Sequence, residues 1–281
     1  MLAEGCPVGG CPSVPSHGGD PGPSVEGMPA NPAAQREHAQ LFPDHTSTLA
    51  ETDPGFAASF ADFTFDETLR DVAITRHDRL LVQLGATIAV GAHTEFAVLL
   101  GAALANEVTP VEAKEVVYQA VAYVGFARTV DFLTITHDAL VARGVALPLP
   151  DQSTTDPETR LARGREVQGR IVGADRVDRM YDAASPDTVH FQRFLSGNCF
   201  GDTVARGGLD LRTRELVTFA MLVALGGADA QVRGHVAGNL AVGNHRRDLL
   251  DVLTVLVPFI GYPRTLNGLA VVDDAAPATD R

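Results

Sequence analysis

The 281-residue chain is 45% hydrophobic, contains no tryptophan and carries a formal net charge of −13. A chain that acidic repels phosphate backbones, and protonating all nine histidines would not make it positive, which argues against nucleic acid as a partner. Its length suffices for one large domain or two small ones, and its wealth of Ala, Val and Leu suits packed helices better than a twisted sheet.

Residues 1–45 read as a disordered tail. The stretch CPVGGCPSVPSHGGDPGPS is rich in Pro, Gly and Ser, has little to bury, and gives Cys6 and Cys11 no fixed geometry for metal or redox work. With Cys199 they make three cysteines, too sparse and too odd a count for a disulfide scaffold. The beginning of the chain lacks a basic region followed by an apolar one, so no secretory signal is read. The apolar run LLDVLTVLVPFIGY is interrupted by Asp251, Thr254 and Pro258, so no membrane span is read either. A cytoplasmic protein is expected.

Helical spacing runs through most of residues 46–145, with structure setting in near FAASFADFTFDETLRDV. Thr109, Pro110 and Glu112 have the pattern of an N-cap, a first-position proline and a first-turn acid, and Gly125 marks a break before the next helix near Ala127. The segment at 146–162, which takes in most of VALPLPDQSTTDPETR, reads as a linker. Helical spacing returns over 163–275 and ends in a polar tail.

The two halves repeat. VAYVGFARTVDFL ending at Leu133 matches VPFIGYPRTLNGL ending at Leu269, an offset of 136 residues. Without gaps, the same offset pairs Leu80 with Leu216, Gly91 with Gly227 and Arg128 with Arg264. An all-α architecture of two similar helical units related by a pseudo-two-fold axis is expected.

The chemistry candidates lie in RELVTFAMLVALGGADAQVRGH. Glu215 opens an apolar helix, the Gly226-Gly227 pair can fold the chain back, and Ala228, Gln231 and His235 share one face of the next helix. A carboxylate and an imidazole can then meet, the acid holding one tautomer and supporting the imidazolium. The alternative is an exposed first-turn acid and an ordinary histidine. In the first unit Arg79 stands at the position of Glu215, Leu99 at that of His235 and Glu95 at that of Gln231. The simplest reading is that the first copy has lost the histidine-centred site. Glu95 remains a candidate site carboxylate, while Tyr118 and Tyr123 read as core edge.

The segments LDLRTRELVTFAMLVALGGADAQVRGHVAGNLAVGNHRRDLLDVLTVLVPFIGYPRTLNGL and, more weakly, HDRLLVQLGATIAVGAHTEFAVLLGAALANEVTPVEAKEVVYQAVAYVGFARTVDFL resemble the carboxymuconolactone decarboxylase-like family of the alkyl hydroperoxidase D superfamily. Two copies in one chain resemble its fused, tandem members, which implies a homotrimer or another homo-oligomer. The peroxidase branch uses a Glu, a Cys-x-x-Cys pair and a His. Glu215 and His235 match, but the cysteine positions are Ala228 and Gln231, which cannot attack a peroxide or resolve a sulfenate. The decarboxylase branch needs no such thiols, no metal and no cofactor. It implies acid–base chemistry on a small anionic lactone or ketone, with His235 oriented by Glu215. Arg264 or Arg233 would pair with a substrate carboxylate, and Gln231 would hydrogen-bond the lactone. Arg264 is equally readable as a structural residue, because Arg128 matches it in the first unit. Thiol-dependent peroxide reduction and a non-catalytic oligomeric scaffold are the rival readings.

Overall fold

The computed structural model describes residues 30–43 and 47–278, and every regular element among them is a helix. The first unit runs through α1 (Pro32–Leu41), the short α2 (Leu49–Thr52), α3 (Pro54–Phe65), α4 (Arg76–Val90), α5 (His93–Ala105), α6 (Pro110–Val124) and α7 (Phe126–Ala142). The second runs through α8 (Arg160–Gln168), a π-helical turn (Gly169–Gly173), α9 (Ala174–Asp182) and α10 (Val189–Phe194). It continues through a longer π-helical segment (Leu195–Val204), α11 (Leu211–Leu225), α12 (Asp229–Ala241), α13 (Arg246–Ile260) and α14 (Tyr262–Ala275).

The helices start and stop where their local chemistry directs. Thr109 and Glu112 cap each other reciprocally at the head of α6, with Pro110 in the first turn. Gly125, at a positive φ, separates α6 from α7. Shifted by 136 residues, α5 and α6 coincide end to end with α12 and α13, and the start of α7 coincides with that of α14.

The units exchange contacts about a pseudo-two-fold axis. Helix α4 lies along α11, while α6 packs on α11 and α13 packs on α4. Gly85 of α4 faces Met221, its own counterpart in α11, as residues near such an axis must. One continuous apolar core, including Phe96, Phe132, Phe219 and Leu249, spans both units. Among the described residues no helix is long and apolar enough to cross a membrane.

Two expectations need adjusting. The expectation of a disordered tail over residues 1–45 does not hold for Pro32–Leu41, which form α1. Asn31 accepts hydrogen bonds from the Ala33 and Ala34 amides, Pro32 takes the first helical position, and Leu41 and Phe42 are buried. Cys6 and Cys11 lie outside the described residues. The stretch between α7 and α8 is non-helical as expected, but it is fastened down. The Gly207 amide donates to the Gln152 carbonyl, and the Thr154 and Thr155 hydroxyls donate to the Ala205 and Gly201 carbonyls. Beneath it, α8 crosses the longer π-helical segment with almost no separation. A methyl on Gly164 would sit 1.8 Å from the Ser196 carbonyl oxygen, and one on Gly201 would sit 2.2 Å from that of Arg160.

Candidate active site

Asp210 caps α11 through the Thr213 amide, which sets Glu215 in the second turn, 1% exposed. Gly226 and Gly227 both take positive φ and reverse the chain, so that α12 returns along α11. His235 then faces Glu215, with Nδ1 and Oε2 2.8 Å apart. The carboxylate accepts the Nδ1 proton, which leaves Nε2 as the nitrogen without a hydrogen bond among the described residues.

The surroundings hold this pair in place. Asn239 donates to the carbonyls of both residues, at 2.7 Å to His235 and 3.1 Å to Glu215. Asn244 donates to the Asn239 side-chain oxygen, which fixes the orientation of that amide. Gly238 leaves room for the carboxylate: a methyl there would lie 2.6 Å from Glu215 Oε2 and 2.9 Å from Ile171.

Two further residues reach the pair from outside α11 and α12. Tyr123, on α6 of the first unit, packs its ring edge-to-face with the His235 imidazole at 5.8 Å and an interplanar angle of 78°. Its hydroxyl is shut away from solvent and makes no well-formed hydrogen bond, although the Cys199 thiol and the Thr218 hydroxyl stand close by. Burial, reinforced by Cys199 and the Glu215 charge, holds its acidity far below that of a free phenol. Cys199, on the longer π-helical segment, lies against Tyr123. Burial and the Glu215 charge push its thiol up to about 12, outweighing the help of the nearby Tyr123 hydroxyl. Behind Tyr123 a polar chain continues along the same face of α6. Gln119 donates to Thr218 and accepts from Arg214, and Arg214 pairs at 2.9 Å with the buried Glu115, which also receives Arg206.

The structure thus brings Glu215 and His235 together and disperses some of the other candidates. Gln231 is exposed one turn before His235 on the same helix. Ala228 stands just before α12, so neither cysteine position of the peroxidase pattern carries sulfur. Arg233 is turned away onto the exposed surface in an ion pair with Asp274, because two residues along a helix do not share a face. Arg264 lies over Gly226 at the end of α11, as its counterpart Arg128 donates to the Ala89 carbonyl near the end of α4. This position favours the structural reading of Arg264. Glu95 belongs to α5, which packs against α4, α6 and α7 of its own unit. Tyr123 and Cys199 are not recognisable as site residues from sequence. The available signal is the polar row Glu115, Gln119, Tyr123 at four-residue spacing on one face of an otherwise apolar helix.

At the matching place in the first unit the chemistry is gone. Arg79 turns to an ion pair with Glu37 of α1, Leu99 is buried, and Phe63 and Phe259 occupy the positions of Cys199 and Tyr123.

The duplication of the helical unit agrees with direct comparison. The model of the carboxymuconolactone decarboxylase family matches twice, over residues 54–138 and 190–274, with the same offset of 136 residues. The chain belongs to the carboxymuconolactone decarboxylase family. It is also similar to a 4-carboxymuconolactone decarboxylase of Acinetobacter baylyi, at 31% identity over 117 residues. The match covers 87% of that protein and 42% of this chain, so the relative is about the length of one unit.

Proposed function

We propose that the protein is a cofactor-free enzyme that removes carbon dioxide, or carries out a related carbon-acid reaction, on a small anionic lactone or ketone. The observation that carries this reading is the 2.8 Å contact between His235 and the buried Glu215, which leaves the other imidazole nitrogen without a hydrogen bond among the described residues. In the protonated state Nε2–H is the acid. As the carboxylate carbon leaves as CO2, its bonding electrons move onto the carbon framework and toward the lactone carbonyl. Nε2 delivers its proton to the framework carbon left with that electron pair, and the neutral imidazole keeps its Nδ1–H hydrogen-bonded to Glu215. Solvent then reprotonates Nε2. Gln231, on the same helix one turn earlier, would hydrogen-bond the lactone.

The Acinetobacter relative makes 4-carboxymuconolactone the first substrate to try. Its consumption, followed by absorbance, should fall on the order of 10²–10⁴-fold in His235→Ala. Unchanged kinetics in that variant would remove the histidine from the mechanism. Thiol-dependent peroxide reduction finds less support: Ala228 and Gln231 carry no sulfur, and burial disfavours the Cys199 thiolate. We also propose a homo-oligomer, a trimer in the first instance. Phe126 is 65% exposed and its counterpart Tyr262 60% exposed, with Val130 and its counterpart Leu266 one turn further on.

A further inference from the structure

The first unit has lost its own acid and histidine, yet it sends one side chain into the surviving site. From that contact we infer that Tyr123 is a positioning residue for His235: its ring fixes the imidazole plane, and its buried hydroxyl adds a dipole to the dry surroundings of the acid–histidine pair. The inference rests on the acid–base reading of the pair.

Three observations carry it. The ring contact with His235 crosses from one unit to the other, and it is edge-to-face, the arrangement that constrains an imidazole rotating about its χ2. The hydroxyl is buried without a well-formed hydrogen bond, which costs stability and which a phenylalanine would avoid. At the silent site the counterpart is a phenylalanine, Phe259, packed against Phe60 with ring centroids 6.3 Å apart. The fold therefore accepts the apolar ring where no acid–histidine pair stands beside it, and carries the unsatisfied phenol where one does.

The groups that face the imidazole are few. Glu215 reaches it from α11, Tyr123 reaches it from α6, and Cys199 stands behind Tyr123. Of the other elements packed on α12, α14 commits Asp274 to Arg233, and the short π turn places Arg170 by Ala241 and Val242 at the far end of the helix. Removing the phenol oxygen thus changes one neighbour of the pair and leaves the rest.

The test uses the full chain with Tyr123→Phe and Tyr123→Leu. In Tyr123→Phe the melting temperature should stay equal or rise, while kcat on 4-carboxymuconolactone falls about tenfold and KM stays within twofold. A fall in melting temperature parallel to the loss of activity, or an unchanged kcat, would overturn the inference. A second readout needs no substrate. The Nδ1–H proton of His235, assigned by its disappearance in His235→Ala, should give a protected imidazole resonance in the parent chain. That resonance should persist in Tyr123→Phe and broaden or vanish in Tyr123→Leu, where no ring holds the imidazole. A resonance equally sharp in Tyr123→Leu would overturn the inference. Should the parent chain leave the lactone untouched, the lyase reading fails, and the resonance alone decides the role of Tyr123.

Discussion

A histidine with one nitrogen committed to a buried carboxylate can exchange protons only through the other. Replacing Glu215 by Gln keeps a hydrogen-bonding side chain but removes the charge that compensates an imidazolium, so activity should fall with little loss of helicity. Circular dichroism measured beside turnover separates the two effects, and a fully active Glu215→Gln protein would contradict the assignment. Cys199 makes a sharper prediction. With its thiol pushed up to about 12, only roughly one molecule in ten thousand is thiolate at pH 8. In a chain carrying Cys6→Ser and Cys11→Ser, alkylation of the folded protein at pH 8 should be negligible, and it should become rapid on unfolding. Fast labelling of the native state would reopen thiol chemistry. The spacing permits the pairing of Glu215 with His235, because a glycine pair separates two helices of readable length, but it is the resemblance to the family that sets this pairing above an exposed acid and an ordinary histidine. The approach of Tyr123 is not, since it depends on how α6 of one unit packs on α11 of the other.

At the scale of elements, caps and glycines decide the outcome. Thr109, Pro110, Glu112 and Gly125 mark the limits of α6 in the sequence itself, because capping is local chemistry. The crossing of α8 over the longer π-helical segment leaves no such mark, because only three-dimensional packing shows that Gly164 and Gly201 stand against backbone. Gly164→Ala should therefore destabilise the protein by about 3 kcal/mol, the upper end of overpacking costs, as read by denaturant unfolding. A neutral substitution would mean that the crossing relaxes freely. Helix α1 is anchored by Glu37. Burial raises its carboxyl, but the hydrogen bonds and charges of Arg79 and Arg76 outweigh that and hold it below the ordinary 4.5. A carboxyl lowered on folding stabilises the protein above pH 4.5, and that contribution is lost as pH falls through the lowered value. Glu37→Gln should consequently destabilise the protein at pH 7, and the difference from the parent should shrink in acid. A difference independent of pH would disprove the linkage.

At the scale of the molecule, the repeated offset makes the duplication legible, since a gapless match between two halves needs no knowledge of packing. Assembly is a separate matter, fixed by what the paired surfaces around Phe126 and Tyr262 meet. Light scattering should report a particle near three times the chain mass of 29.7 kDa, and aspartate at both positions should dissociate it. A parent chain that stays monomeric at micromolar concentration would dispose of the trimer. The Arg79–Glu37 pair, finally, has a consequence for counting. A protein built from two like halves invites the assumption of two equal sites. Here one half holds an ion pair and a leucine where the other holds its acid and imidazole, so a tight-binding anion should saturate at a single equivalent per polypeptide. Any specific activity normalised to the number of family repeats would then be understated by half.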